Sequence, residues 1–133
     1  MARTTYGAPQ LIVHELTAEA RPLIAFRIVA TSEVESSELL DSLRSHYELS
    51  QEPRKVERRS PVLHMGISVF TDPAIPARLA QKWPRLGRYL ARLEAGDQTP
   101  LNYAETSQRG HLTLWADPVK LRDAIVDIEP IGS

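Results

Sequence analysis

Three short stretches constrain the fold more than anything else in the chain: LIAFRIVA from Leu23, LHMGISVF from Leu63 and GHLTLWA from Gly110. Each is bounded by turn-forming residues and rich in β-branched or aromatic side chains, as strands are. Successive residues of a strand point to opposite sides, so each stretch has two faces. On one face of the first lie Ile24, Phe26, Ile28 and Ala30; on the other, Leu23, Ala25, Arg27 and Val29. The second pairs Leu63, Met65, Ile67 and Val69 against His64, Gly66, Ser68 and Phe70, and the third pairs Leu112 and Leu114 against His111, Thr113 and Trp115. One face of each is plainly apolar. The other holds Arg, His, Ser or Thr, which serve equally as an ordinary solvated face or as the floor of a site.

The rest of the chain alternates strand and helix signals. QLIVHEL is a short strand candidate. SEVESSELLDSLRSHYE reads as a helix, with capping-box spacing between Ser32 and Glu35 and an apolar face of Leu39, Leu43 and Tyr47. In TDPAIPARLAQKW, Asp72 caps a helix, Pro73 suits its first position and Pro84 ends it. Pro84 and Gly87 then break the chain before a strand from about Arg88. DPVKLRDA is a short helix capped by Asp117, and IVDIEPI is a closing strand. A mixture of short helices and strands over 133 residues implies a single α+β domain, residues 1–133, with one or two small mixed or antiparallel sheets.

Composition narrows the function classes. The absence of cysteine removes disulfides, thiolate metal sites and a cysteine nucleophile. The four histidines lack paired metal-ligand spacing, so no metal is expected. A formal net charge of −1 gives no global field favouring nucleic acid or membrane. The N-terminus lacks the apolar stretch of a signal peptide and no run approaches membrane-spanning length, so a soluble cytoplasmic protein without membrane attachment is the expectation. Glycines are scattered rather than gathered in a phosphate loop, and Ser68, in GISVF, lacks the second glycine of a hydrolase elbow. Two basic groups remain. Arg54, Lys55, Arg58 and Arg59, between prolines, read as a solvated connector or as a flap meeting a phosphate-bearing ligand. Arg78, Lys82, Arg85, Arg88 and Arg92 read as the wet face of an amphipathic segment or as a phosphate-facing stripe.

Arg27 is the lone charge in an apolar strand and must find anionic or hydrogen-bonding partners, with a carboxylate such as Glu15 as one structural option. If the three strands are neighbours, Arg27, His64, Ser68, His111 and Thr113 converge over one cleft. With that arrangement the order of elements resembles the ADP-ribosyltransferase superfamily in its arginine–serine–glutamate form. AFRIV resembles the first strand, GISVFTDPAIPARLA the serine strand and following helix, and NYAETSQRGHLTLW the catalytic loop and late strand. The resemblance runs from about Leu23 to Ile131 and implies NAD as substrate. Arg27 then holds the pyrophosphate, Ser68 the ribose, Phe70 or Trp115 stacks on the nicotinamide, and Glu105 stabilises the positive charge that builds on the ribose. His64 and His111 line the same cleft. Phe70 stands where the motif's last serine belongs, and no Glu-x-Glu occurs. A protein or a nucleic acid is the target class such a transfer reaction implies.

HLTL from His111 and HMGI from His64 also resemble the repeated His-apolar-Thr/Ser-apolar signature of the two-histidine phosphoesterases, with Gly66 in place of one hydroxyl. That resemblance implies general acid–base work on a cyclic phosphate or an RNA end. A third class, a non-catalytic binding or regulatory domain, uses the same residues without turnover.

Overall fold

The computed structural model describes residues 11–53, 60–106 and 109–132. The basic connector at 54–59, Gln10 at the start of the first strand candidate, and Ser107 and Gln108 lie outside the described residues. The seven strands are β1 (His14–Glu15), β2 (Leu23–Val29), β3 (Ile67–Phe70), β4 (Tyr89–Ala95), β5 (Asn102–Glu105), β6 (His111–Trp115) and β7 (Ile125–Pro130). Among the described residues the α-helices are α1 (Ser37–Ser42), α2 (Pro61–His64), α3 (Ala74–Lys82) and α4 (Pro118–Asp123), with 3-10 turns at Ala18–Ala20 and Pro84–Leu86. The strands form one antiparallel sheet in the order β1-β5-β6-β3-β2-β4-β7. The α+β expectation holds, with one seven-stranded sheet in place of one or two small ones.

One face of the sheet carries the main core. Ala25, Val29, Val69, Ala91, Leu93 and Leu114 on the strands pack with Leu39 and Leu43 of the α1 region and Leu121 of α4. Leu39, Leu43 and Val69 are wholly inaccessible. Phe70 and Ala80 are buried outside this cluster, in a second, smaller packing region where α3 lies along β2.

The core face of β2 is therefore the opposite of the one expected. Ile24 is 37% exposed, and Phe26 and Ile28 are only half-buried, whereas Ala25 and Val29 are 1% exposed. The one polar marker of the strand, Arg27, points to the buried face, where its guanidinium is half-buried and hydrogen-bonded to main chain. The small Ala25 and the hydrogen-bonding Arg27 are what a close-packed layer can accept.

LHMGISVF is also shorter as a strand than its pattern suggests. Pro61 opens α2, whose last residue is His64, and only Ile67–Phe70 pair as β3. Pro61 supplies a fixed φ at a first helical position, and the lost turn of strand exposes Met65 to 50%. Ile67 and Val69 are buried as expected.

The long helix expected from Ser32 is six residues, capped by Ser36, whose Oγ accepts from Leu39 N at 3.1 Å. A second box interrupts it. Ser45 N donates to Glu48 Oε1 at 2.8 Å and Glu48 N to Ser45 Oγ at 3.1 Å, which starts a new turn and leaves Tyr47 58% exposed. Asp72 Oδ1 accepts from Ala74 N at 2.9 Å, but α3 begins at Ala74 with Pro73 in the cap position rather than the first helical one, whereas the Asp117 cap, whose Oδ1 accepts from Val119 N at 2.9 Å, is as expected. The break at Pro84 and Gly87 and the strand after it are too.

Candidate functional site

Strand register decides which side chains share a face, because directly paired residues of antiparallel strands point the same way. Phe26 pairs Phe70, Phe70 pairs His111, and Ser68 pairs Thr113. These five lie on the face opposite the main core, and Trp115, two residues beyond Thr113, joins them. Arg27 is one residue from Phe26 and belongs to the core face. Glu105 pairs Leu112 and falls on the core-face side, exposed at its strand end. His64 is on α2, off the sheet. The expected convergence is thus partial: Ser68, Phe70, His111, Thr113 and Trp115 share a face, while Arg27, Glu105 and His64 lie elsewhere.

Arg27 binds main chain. Its Nε donates to Ser42 O at 2.9 Å and its Nη1 to Ser68 O at 2.7 Å. Register between β2 and β3 exists only at Phe26 and Phe70, and where the strands part, the guanidinium bridges β2, β3 and the end of α1. Two of its partners are thus carbonyls, and no ion pair joins it to Glu15.

The histidines are engaged locally. His111 Nδ1 lies 2.9 Å from both Thr106 O and Thr106 Oγ1, and Thr106 Oγ1 lies 2.9 Å from Thr113 Oγ1. With Thr106 N donating to His111 O at 3.0 Å, this network closes the β5–β6 turn. The imidazole meets Phe70 edge-on, centroids 5.0 Å apart. His64 Nε2 is 2.8 Å from Gln51 O, and its ring stands at 84° to Tyr47.

Trp115 does two things. Its Nε1 donates to Val62 O at 2.8 Å, tying α2 to the sheet. Gly66 permits this approach, since a Cβ there would lie 2.5 Å from Thr113 Cγ2 and 2.9 Å from Trp115 Nε1. Trp115 also walls a cleft of about 260 Å³ with Glu15, Leu16, Arg21, Pro100, Leu101 and Asn102. Three of these residues form one cross-strand row, because Glu15 pairs Asn102 and Asn102 pairs Trp115.

Arg21 closes one side of the cleft. Its side chain is 16% exposed, and its contacts are long: Nη1 to Thr99 O and Nη2 to Leu16 O at 3.4 Å each, and Nε to Asp97 Oδ1 at 3.9 Å. Asp97 is itself 91% exposed, so that ion pair is weak. A guanidinium has five N–H donors, and loosely engaged ones suit a carboxylate or phosphate. Together the cleft offers a cation, an indole, an amide and, at Glu15, a carboxylate. Sequence patterning missed Arg21 and Asn102. Arg21 precedes β2 beside a proline, and Asn102 opens a strand poor in β-branched residues, so neither interrupts an apolar run. No group of three or more His, Asp or Glu side chains among the described residues is placed to hold a metal ion, and no described helix is long and apolar enough to cross a membrane.

Fold and site together define an α+β domain with a single antiparallel sheet, its core on one face and a polar cleft at the β1–β5–β6 end. No protein-family model, curated protein or solved structure matches the chain.

Proposed function

We propose that the protein is a non-catalytic binding domain that takes a small nucleotide-class ligand, nicotinamide dinucleotide included, by one end in the cleft between Arg21 and Trp115. The observation that carries this reading is the contrast in engagement between Arg27 and Arg21. Arg27, the residue a transferase would use on pyrophosphate, spends two donors on carbonyls at 2.9 and 2.7 Å, on the face away from Ser68 and His111. Arg21 is held only at 3.4 Å and beyond, beside an indole. The phosphate end of the ligand meets Arg21, the planar base or nicotinamide lies on Trp115, and Asn102 and Glu15 meet hydroxyl or cationic groups. A cleft of about 260 Å³ is just under the ~300–1,000 Å³ usual for drug-sized ligands, which suits one end of a dinucleotide.

The test is calorimetric titration with nicotinamide dinucleotide, with a nicotinamide-release assay alongside. Losing a charge-assisted contact is worth about 1.5–3 kcal/mol, so Arg21→Gln should weaken binding roughly ten- to a hundredfold. Absence of heat at millimolar ligand, or unchanged affinity in Arg21→Gln, would sink the proposal. Nicotinamide release by the wild type would replace it with the transferase.

A further inference from the structure

Between Asp72 and Glu94 the chain has five basic residues and no acidic one, although its formal net charge is −1. The structure divides these five. Arg92 is spoken for, with Nη2 3.3 Å from Glu94 Oε2 and Asp127 opposite it on β7. Arg78, Lys82, Arg85 and Arg88 are all exposed, and none makes an ion pair with a described residue. Arg78 and Lys82 are one helical turn apart on α3, Arg85 lies in the 3-10 turn Pro84–Leu86 that follows, and Arg88 comes two residues after it.

That stretch contains an aromatic platform. Trp83 is 47% exposed, and Lys82 and Arg85 stand 5.7 and 5.9 Å from its ring centroid. The turn presenting it is built to hold still. Trp83 N bonds Leu79 O, Leu86 N bonds Trp83 O, and Gly87 N bonds Pro84 O. Gly87, at φ +143°, lets the chain press so close to β2 that a Cβ would lie 2.6 Å from Val29 O. A large indole kept outside the core on this turn, with two cations over its ring that make no ion pair with a described residue, is poorly explained by packing.

We propose that the strip from Arg78 to Arg88 is a docking site for single-stranded nucleic acid, whose phosphates meet the four cations and one of whose bases stacks on Trp83. A cationic row with a stacking platform is the arrangement that tracks a flexible polyanion. Between Arg78 and Arg88 the large apolar residues exposed are Trp83 and Leu86, too few for a bilayer surface and enough for one stacked base. This site is separate from the Arg21 cleft and stands or falls independently of it.

The test is fluorescence anisotropy of a labelled twelve-nucleotide oligothymidylate and its RNA counterpart, with the 133-residue chain. Three or four phosphate contacts predict a log–log salt slope of about −2 to −3. The double variant Lys82→Glu/Arg85→Glu should lose at least tenfold in affinity, and Trp83→Ala about tenfold. Lys120→Glu, an exposed change on α4, should alter it less than twofold. All these positions are exposed, and urea unfolding checks that each variant keeps its fold. Oligonucleotide binding that the double variant retains, or binding to phosphatidylserine vesicles without binding to either oligonucleotide, overturns the proposal.

Discussion

Arg21 and Arg27 stand six residues apart at the entrance and in the middle of the same strand region, and they do opposite work. Arg27 lies in a layer with Ala25 and Val29, and its two recorded hydrogen bonds are short. Arg21 lies at the rim, where it reaches the same kind of acceptor, main-chain carbonyls, half an ångström or more farther away. Distance is the lesson. Hydrogen bonds near 2.8 Å are strong and fix both partners, whereas contacts at 3.4 Å sit near the limit of the interaction and leave the donors exchangeable. The same side chain is thus a brace in one place and loosely held in the other.

The comparison can be broken by substitution. Arg27→Gln should have the largest effect on the fold. It strands the carbonyls of Ser42 and Ser68, each costing about 1–3 kcal/mol if left unsatisfied, so a loss of about 2–4 kcal/mol is expected in urea unfolding. Gly66→Ala comes next. Its Cβ meets Leu114 O at 3.0 Å as well as the Thr113 and Trp115 side chains, and overpacking of this kind costs about 1–3 kcal/mol. It should also shift the Trp115 indole N–H resonance, because the bond to Val62 O cannot keep its geometry. Smallest is Arg21→Gln, whose contacts are so long that the fold should lose less than about 0.5 kcal/mol.

Much of the architecture was legible, and the misreadings share a cause. The helix Ala74–Lys82, the break at Pro84 and Gly87, and the capped Pro118–Asp123 helix were readable because prolines, glycines and capping aspartates act locally. β2 is legible in its place but on the wrong face, because Arg27, its one polar marker, hydrogen-bonds main-chain carbonyls within the core layer instead of facing solvent. β5 escaped as a strand, since NYAE has neither β-branched residues nor clean alternation. Part of the shared face, Ser68, Phe70, His111, Thr113 and Trp115, followed from period two alone. What period two cannot supply is register between strands: only the pairing of Phe26 with Phe70 shows that Arg27 faces away from that group. The Arg21 cleft depends on three strands and a loop meeting, which no local pattern encodes.

The most direct test sets the two arginines side by side: equilibrium urea unfolding of Arg21→Gln and Arg27→Gln, under the same conditions, against the wild type. The account predicts unfolding free energy lower by about 2–4 kcal/mol for Arg27→Gln and within about 0.5 kcal/mol of wild type for Arg21→Gln, with the same dependence on urea in all three. A larger loss at Arg21 than at Arg27, or an Arg27→Gln protein as stable as the wild type, would contradict it.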